Sequence, residues 1–276
     1  MILSIAQLEN ERGELEVSIR PDETLDGLFN GKLKIIQKRK GYRYSIDAIL
    51  LASFCRLKKA DEVIDLGTGN AIIPILLAVR NPTNRIVGVE IQAELVDMAH
   101  RNVALNGLER RIKLIHKDVR ALTTSFEKAS FDLAISNPPY RPVRTGRLNP
   151  QLQKAFARHE ILGSLEDMAR IASFLLRSGG RFCLIYPASR TIDMLLTLRE
   201  SDLEPKRVRL IHSNEREEAK LVMAEAVKGG RRELHVLRPL FVYELDGHPT
   251  EEMDRIYSMD QDEDEIGVAR DREKPV

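Results

Sequence analysis

Glu62-Val63-Ile64-Asp65-Leu66-Gly67-Thr68-Gly69-Asn70-Ala71, leading into Ile72, Ile73, Leu76 and Leu77, is the stretch on which the fold turns. Residues 62–66 are a short apolar run of the kind that fills a buried strand. The two glycines mark a turn, and the apolar positions from 72 onward recur at helical spacing. The order is strand, glycine turn, helix, the opening of an α/β unit. Gly67 and Gly69 let the backbone turn tightly and approach a ligand, and Asp65 at the strand's end can hold a positive or hydroxyl-bearing group. A two-glycine turn recurs in many α/β proteins, so the fold rests equally on the strands downstream of it.

Working outward, Arg85 to Glu90 is a second strand, and it ends in an acid 21 residues beyond Gly69. An acid at that spacing can accept both hydroxyls of a ribose. Leu95, Met98, Ala99 and Val103 form a helical stripe stopped by Asn106-Gly107. Ile112 to Ile115 then make a third strand that ends near Asp118. Phe131 to Ser136 is a fourth, and it runs into Asn137-Pro138-Pro139-Tyr140. Neither proline supplies an N–H, and each restricts its own backbone and the residue before it, so the chain must leave the sheet there. An Asn oxygen beside a rigid backbone carbonyl makes a pair of acceptors for an exocyclic –NH2, and Tyr140 offers that group's ring a stacking surface. A plain strand followed by a proline turn is the other reading of the four residues.

Taken in order, the acid-plus-glycine turn, the acid after the second strand, the Asp after the third and NPPY after the fourth resemble class I S-adenosylmethionine-dependent methyltransferases. The NPPY variety resembles those that methylate planar amino groups, chiefly adenine N6 and, in a separate branch, glutamine side chains. Residues 41–52 (GYRYSIDAILLA), Ala157-Arg158-His159-Glu160, residues 203–207 (LEPKR) and residues 225–230 (EAVKGG) resemble the bacterial tRNA adenine N6-methyltransferases that modify a valine tRNA beside its anticodon. The likeness spans residues 40 to 245.

That resemblance implies a Rossmann-like, seven-stranded, mostly parallel sheet with its last strand running antiparallel between its neighbours, and Leu237 to Glu244 as an added strand. It implies S-adenosylmethionine as cofactor and RNA, most of all tRNA, as partner. Glu90 would meet the ribose, Gly67 and Gly69 would be the close-approach positions, and Asp118 would face the adenine amine. Asp65, Ser45 and Asp47 would lie near the methionine end. Asn137 and the Pro138 carbonyl would accept from the substrate amine, with Asn137 also bordering the cofactor, while Pro139 and Tyr140 would flank the base. Local readings stand beside these: Ser45 and Asp47 suit a helix N-terminus, and Asp118 a turn. Competing functions are a glutamine methyltransferase of release factors, a guanine or DNA-adenine methyltransferase, and a non-catalytic RNA-binding protein that kept the fold.

Composition fits without deciding. The 276 residues suffice for one large domain with small extensions, and 43% apolar content is ordinary for a soluble protein. No secretory or membrane-spanning run is visible, which makes the cytoplasm the expected location. Cys55 and Cys183 are isolated, and the six histidines form no ligand pair at helical spacing, so reduced core thiols and no metal site are expected.

The net charge of +1 hides an asymmetry: residues 246–276 carry 11 acids and 4 bases, which leaves 31 acids against 39 bases, a net of +8, in residues 1–245. Arg141, Arg144, Arg147, Lys154 and Arg158 follow NPPY, and Lys228, Arg231 and Arg232 surround the Gly229-Gly230 turn. Around a pocket mouth such side chains would neutralise RNA phosphates; elsewhere they are a solvated loop. The expected organisation is an N-terminal extension and hairpin over residues 1–45, with Gly41 at its turn, a methyltransferase domain over 46–245, and an acidic, mobile tail over 246–276 in which Met253, Ile256 and Tyr257 can pin one helical turn. Ser164 with Asp167, and Ser189, are expected helix caps.

Overall fold

A computed structural model describes residues 17–40, 43–138 and 163–258. The strands are β1 (Glu23–Leu28), β2 (Leu33–Lys38), β3 (Glu62–Leu66), β4 (Arg85–Glu90), β5 (Ile112–His116), β6 (Phe131–Ser136), β7 (Leu176–Pro187), β8 (Leu203–His212), β9 (Ala219–Lys228), β10 (His235–Val236) and β11 (Leu240–Phe241). The helices are α1 (Ile46–Phe54), α2 (Ile72–Arg80), α3 (Ala93–Leu105), α4 (Leu165–Leu175), α5 (Thr191–Glu200) and α6 (Glu251–Ser258).

The main sheet runs β10-β8-β9-β7-β6-β3-β4-β5, with β11 also on β8. From β7 to β5 every pairing is parallel, and β9 alone is antiparallel, inserted between β7 and β8. The seven long strands therefore have the expected topology. Parallel strands covered on both faces must be apolar throughout. Val63, Ile64, Leu66, Leu133, Ala134, Ile135, Phe182, Cys183, Leu184 and Ile185 accordingly have no exposed surface. Ile64, Phe182 and Leu184 pack under α4, whose Met168, Ile171 and Leu175 face inward, and Val63, Leu133 and Ile135 pack under α1 and α2. Cys55 and Cys183 are both buried and free. No helix among the described residues is long and apolar enough to cross a membrane.

Several local expectations need correction. The hairpin turns at Phe29-Asn30-Gly31, all at positive φ, and not at Gly41, which lies outside the described residues. Asn30-Gly31 is the pair best suited to such a turn. In place of one added strand over Leu237–Glu244 there are two of two residues each, both parallel to β8, separated by a stretch containing Pro239, which has no N–H for a ladder. Helix α4 ends at Leu175 without reaching Gly179-Gly180; the glycines lie inside β7, where its register against β6 shifts. Ser164 and Asp167 do form a capping box. Ser189 falls in a short 3-10 turn, and the N-cap of α5 is Arg190. Residues 251–258, expected in the tail, form α6, with Met253 and Ile256 buried in the cluster that holds α1 and α2.

Candidate active site

The carboxyl ends of β3, β4, β5 and β6 meet at one edge of the sheet, where an open α/β fold places its ligand crevice. Asp65 pairs with Gly88 on one side and Ile135 on the other, and Glu90 pairs with His116. Two residues past the Asp65–Ile135 pair the chains reach Gly67 and Asn137. Ser136 Oγ donates to the Leu66 carbonyl at 2.9 Å and ties the ends of β3 and β6 together beside them. Asn137 is half-buried and Pro138 buried.

Between β3 and α2 the chain makes a tight cradle. Gly67 and Gly69 have φ of 81° and 58°, and Ala71, the N-cap of α2, sits in the same left-handed region at 65°. Gly67 and Thr68 both donate to the Val89 carbonyl at 2.9 Å. Among the described residues a side chain at Gly67 would meet only the Met168 terminal methyl, 3.9 Å away. Gly88 is closed: a Cβ would lie 2.9 Å from Leu114 and 3.0 Å from Thr68. Its missing side chain makes the room into which Thr68 packs.

Glu90, 4% exposed, holds this loop from the next strand. One carboxylate oxygen accepts from Gly69 N at 3.0 Å and the other from Gln92 N at 2.8 Å. Gln92 Nε2 adds a third bond at 3.3 Å, and since a carboxylate has about four acceptor sites, capacity remains for a hydroxyl group. Asp65 is different. It is fully buried, and neither oxygen has a hydrogen-bond partner among the described residues. Burial pushes its carboxyl up to about 7, with the Glu90 charge adding to the rise and nearby Thr68 tempering it. Thr68 Oγ1 and Asn70 Oδ1 are also buried without partners. The three acceptor-only oxygens, two on Asp65 and one on Asn70, are costly at one loop unless a ligand with donors or positive charge completes them, the Thr68 hydroxyl alone being able to turn a proton toward Asp65. An ammonium-bearing nucleoside has the chemistry for this set, with Glu90 accepting from a ribose hydroxyl.

The other expected residues divide. Ser45 is the N-cap of α1 but makes no side-chain cap bond; burial holds the Asp47 carboxyl, in the first turn, above its usual range, its bond to Ser45 only partly offsetting this. Arg80 at the end of α2 donates to the Ala52 and Cys55 carbonyls at the end of α1 and ties the C-terminal ends of the two helices together. Asp118 caps a 3-10 turn, accepting from Arg120 N at 2.9 Å and pairing with the Arg120 guanidinium, which holds its carboxyl below the usual range.

Lys228, Arg231 and Arg232 are not gathered with the other candidates. Lys228 pairs with Leu203, the first residue of β8, so this cluster lies at the edge where the parallel strands begin, opposite Asp65, Glu90 and Asn137. The antiparallel direction of β9 is the cause. Lys228 Nζ donates to the Ser173 and Leu176 carbonyls and so caps the end of α4. Pro139, Tyr140, Arg141, Arg144, Arg147, Lys154, Arg158, His159 and Glu160 lie outside the described residues. Sequence reasoning gives no role to Thr68, Asn70, Gln92, Asn102 or Ser136. The signal for Asn102 is its place inside the apolar stripe of α3, next to Val103, where a polar residue needs a reason.

Residues 57–238 match the family described as "Methyltransferase domain". The chain is 30% identical to the tRNA1(Val) (adenine(37)-N6)-methyltransferase of Porphyromonas gingivalis (strain ATCC 33277) over 66% of its own length and 73% of the relative's. It is 27% identical to the protein of the same name from Flavobacteriaceae bacterium (strain 3519-10), covering 82% of this chain and 91% of that one. The crystal structure of a predicted O-methyltransferase from Agrobacterium tumefaciens superposes with a TM-score of 0.64 at 26% identity, covering 76% of this chain and 95% of that chain.

Proposed function

The chain belongs to the methyltransferase domain family, and we propose that it transfers a methyl group from S-adenosylmethionine to the exocyclic N6 amine of an adenine in RNA, the substrate being an anticodon-loop adenine of a tRNA. The observation that carries this reading is the adjacency of Asn137 and the glycine cradle at one sheet edge, with an uncompensated Asp65 between them and Glu90.

Bound at the cradle, S-adenosylmethionine supplies a methyl group activated by its sulfonium. Glu90 would accept from the ribose hydroxyls, and Asp65, with Asp47 and Ser45 beyond it, would face the methionine ammonium. Asp118 would offer its remaining acceptor capacity to the adenine amine of the cofactor.

An exocyclic amine is a weak nucleophile because its lone pair is delocalised into the ring. Asn137 Oδ1 and the Pro138 carbonyl, accepting from both N–H groups, favour the pyramidal geometry that frees the pair and aim it along the reaction line. The methylated ammonium is acidic enough to lose its proton to solvent, so the site needs no strong base. Tyr140, with Pro139, would hold the ring by stacking, and Arg141, Arg144 and Arg147 would meet phosphates. Turning a base out of its stack costs a few kcal/mol, least in single-stranded RNA, which favours a loop.

The test is incubation of the protein with labelled S-adenosylmethionine and tRNA from cells lacking the modification, followed by nucleoside mass spectrometry. N6-methyladenosine in the tRNA is the expected product. Label in a protein glutamine instead would move the reading to the other NPPY branch.

A further inference from the structure

Helix α3 presents two asparagines, one turn apart, to the open edge of hairpin strand β2. Asn106 Oδ1 accepts from Lys34 N at 3.1 Å, and its Nδ2 donates to Lys34 O at 2.8 Å. Asn102 repeats the pattern two residues along, accepting from Ile36 N at 2.6 Å and donating to Ile36 O at 3.0 Å. The two side-chain amides thus satisfy the strand edge as a neighbouring strand would.

Asn102 does something more. Its Nδ2 also donates, at 3.0 Å, to the carbonyl of Asn70 in the glycine cradle, and Asn70 Nδ2 reaches back to Ile36 O at 3.4 Å. Asn70 and Asn102 have no exposed surface. Asn70 O belongs to the peptide that leads into Ala71, an alanine in the left-handed region, where a side chain is disfavoured and the backbone needs an external hold. The ring Ile36–Asn102–Asn70 supplies that hold and joins the hairpin, α3 and the cradle.

We propose that Asn102 is a positioning residue for the cofactor cradle and that it couples cofactor binding to docking of the β1–β2 hairpin. The inference rests on the placement of S-adenosylmethionine at this loop. Asn106 is the natural control, because it docks the same hairpin without touching the cradle.

S-adenosylhomocysteine is titrated calorimetrically into the wild type, Asn102→Ala and Asn106→Ala, and transfer is measured at saturating S-adenosylmethionine. Asn102→Ala is expected to raise the dissociation constant about tenfold, the scale of one lost buried hydrogen bond. Its kcat should stay within about threefold, since the loss is in binding. Asn106→Ala should leave the constant within about twofold, on the same argument. Equal losses in both variants, or no loss in Asn102→Ala, would overturn the inference. Hydrogen exchange in the wild type decides the matter even if Asn102→Ala does not fold. S-adenosylhomocysteine should slow exchange at Ile36 together with Asn70 and Ala71, and protection confined to the cradle would overturn it. A wild type that binds no S-adenosylhomocysteine would remove the cofactor placement itself.

Discussion

Replacing Asp65 by Asn removes a carboxylate whose burial is a standing cost to the ligand-free fold. Its carboxyl takes up a proton at about 7 in the folded chain, against 3.8 for an Asp in the unfolded chain. Between those values the folded state binds more protons than the unfolded state, so stability falls as pH rises through the window. A shift of about three units corresponds to about 4 kcal/mol in total, of which about 3 kcal/mol falls between pH 5 and pH 8. Asn has nearly the same shape and does not titrate. Urea unfolding of ligand-free wild type and Asp65→Asn at both pH values measures the difference, with the midpoint read at constant m. The variant should gain on the wild type by about 3 kcal/mol on going from pH 5 to pH 8. S-adenosylhomocysteine should reverse the order, since its ammonium favours the ionised carboxylate; binding near pH 6.5 would then release a proton, visible as a buffer-dependent binding enthalpy. Parallel pH profiles for the two proteins would refute the reasoning.

Glu90→Ala should weaken S-adenosylhomocysteine binding by about 10–100-fold, because the side chain fixes Gly69 and, in the proposed placement, would accept from the ribose; calorimetry checks this, and an unchanged constant would remove Glu90 from the cofactor. Gly88→Ala should destabilise the fold by about 1–3 kcal/mol and disturb the cradle, since its methyl meets Leu114 and Thr68 at 3.0 Å or less; a thermal melt with and without S-adenosylhomocysteine reads both effects. Lys228→Met should lower stability by about 1 kcal/mol through the lost cap on α4 yet leave the KM for RNA unchanged, and a raised KM would return this edge to the RNA path.

How far each feature is legible in the sequence depends on how local its signal is. Apolar runs ending in Asp65, Glu90 and Ser136, and the glycines between β3 and α2, are readable because strand, turn and helix each leave a pattern within a few residues. Their meeting at one edge is a consequence of parallel pairing. The place of the Lys228 cluster is not legible, because its charge and its glycines are local while the edge it occupies depends on the direction of β9. The hairpin turn is legible in Asn30-Gly31, a stronger local signal than the Gly41 expected for it. Asn102 cannot be assigned by spacing, since its partners, Ile36 and Asn70, are 66 and 32 residues away.

The most direct test is single-turnover transfer from labelled S-adenosylmethionine to an unmodified valine tRNA transcript by the wild type and by Asn137→Ala, each with its S-adenosylhomocysteine affinity measured alongside. The account predicts label in N6-methyladenosine for the wild type, and for the variant a loss of transfer with cofactor affinity kept within about threefold, the signature of an interaction made to the substrate. Transfer that survives in Asn137→Ala, or a loss that merely follows a loss of cofactor, would contradict it.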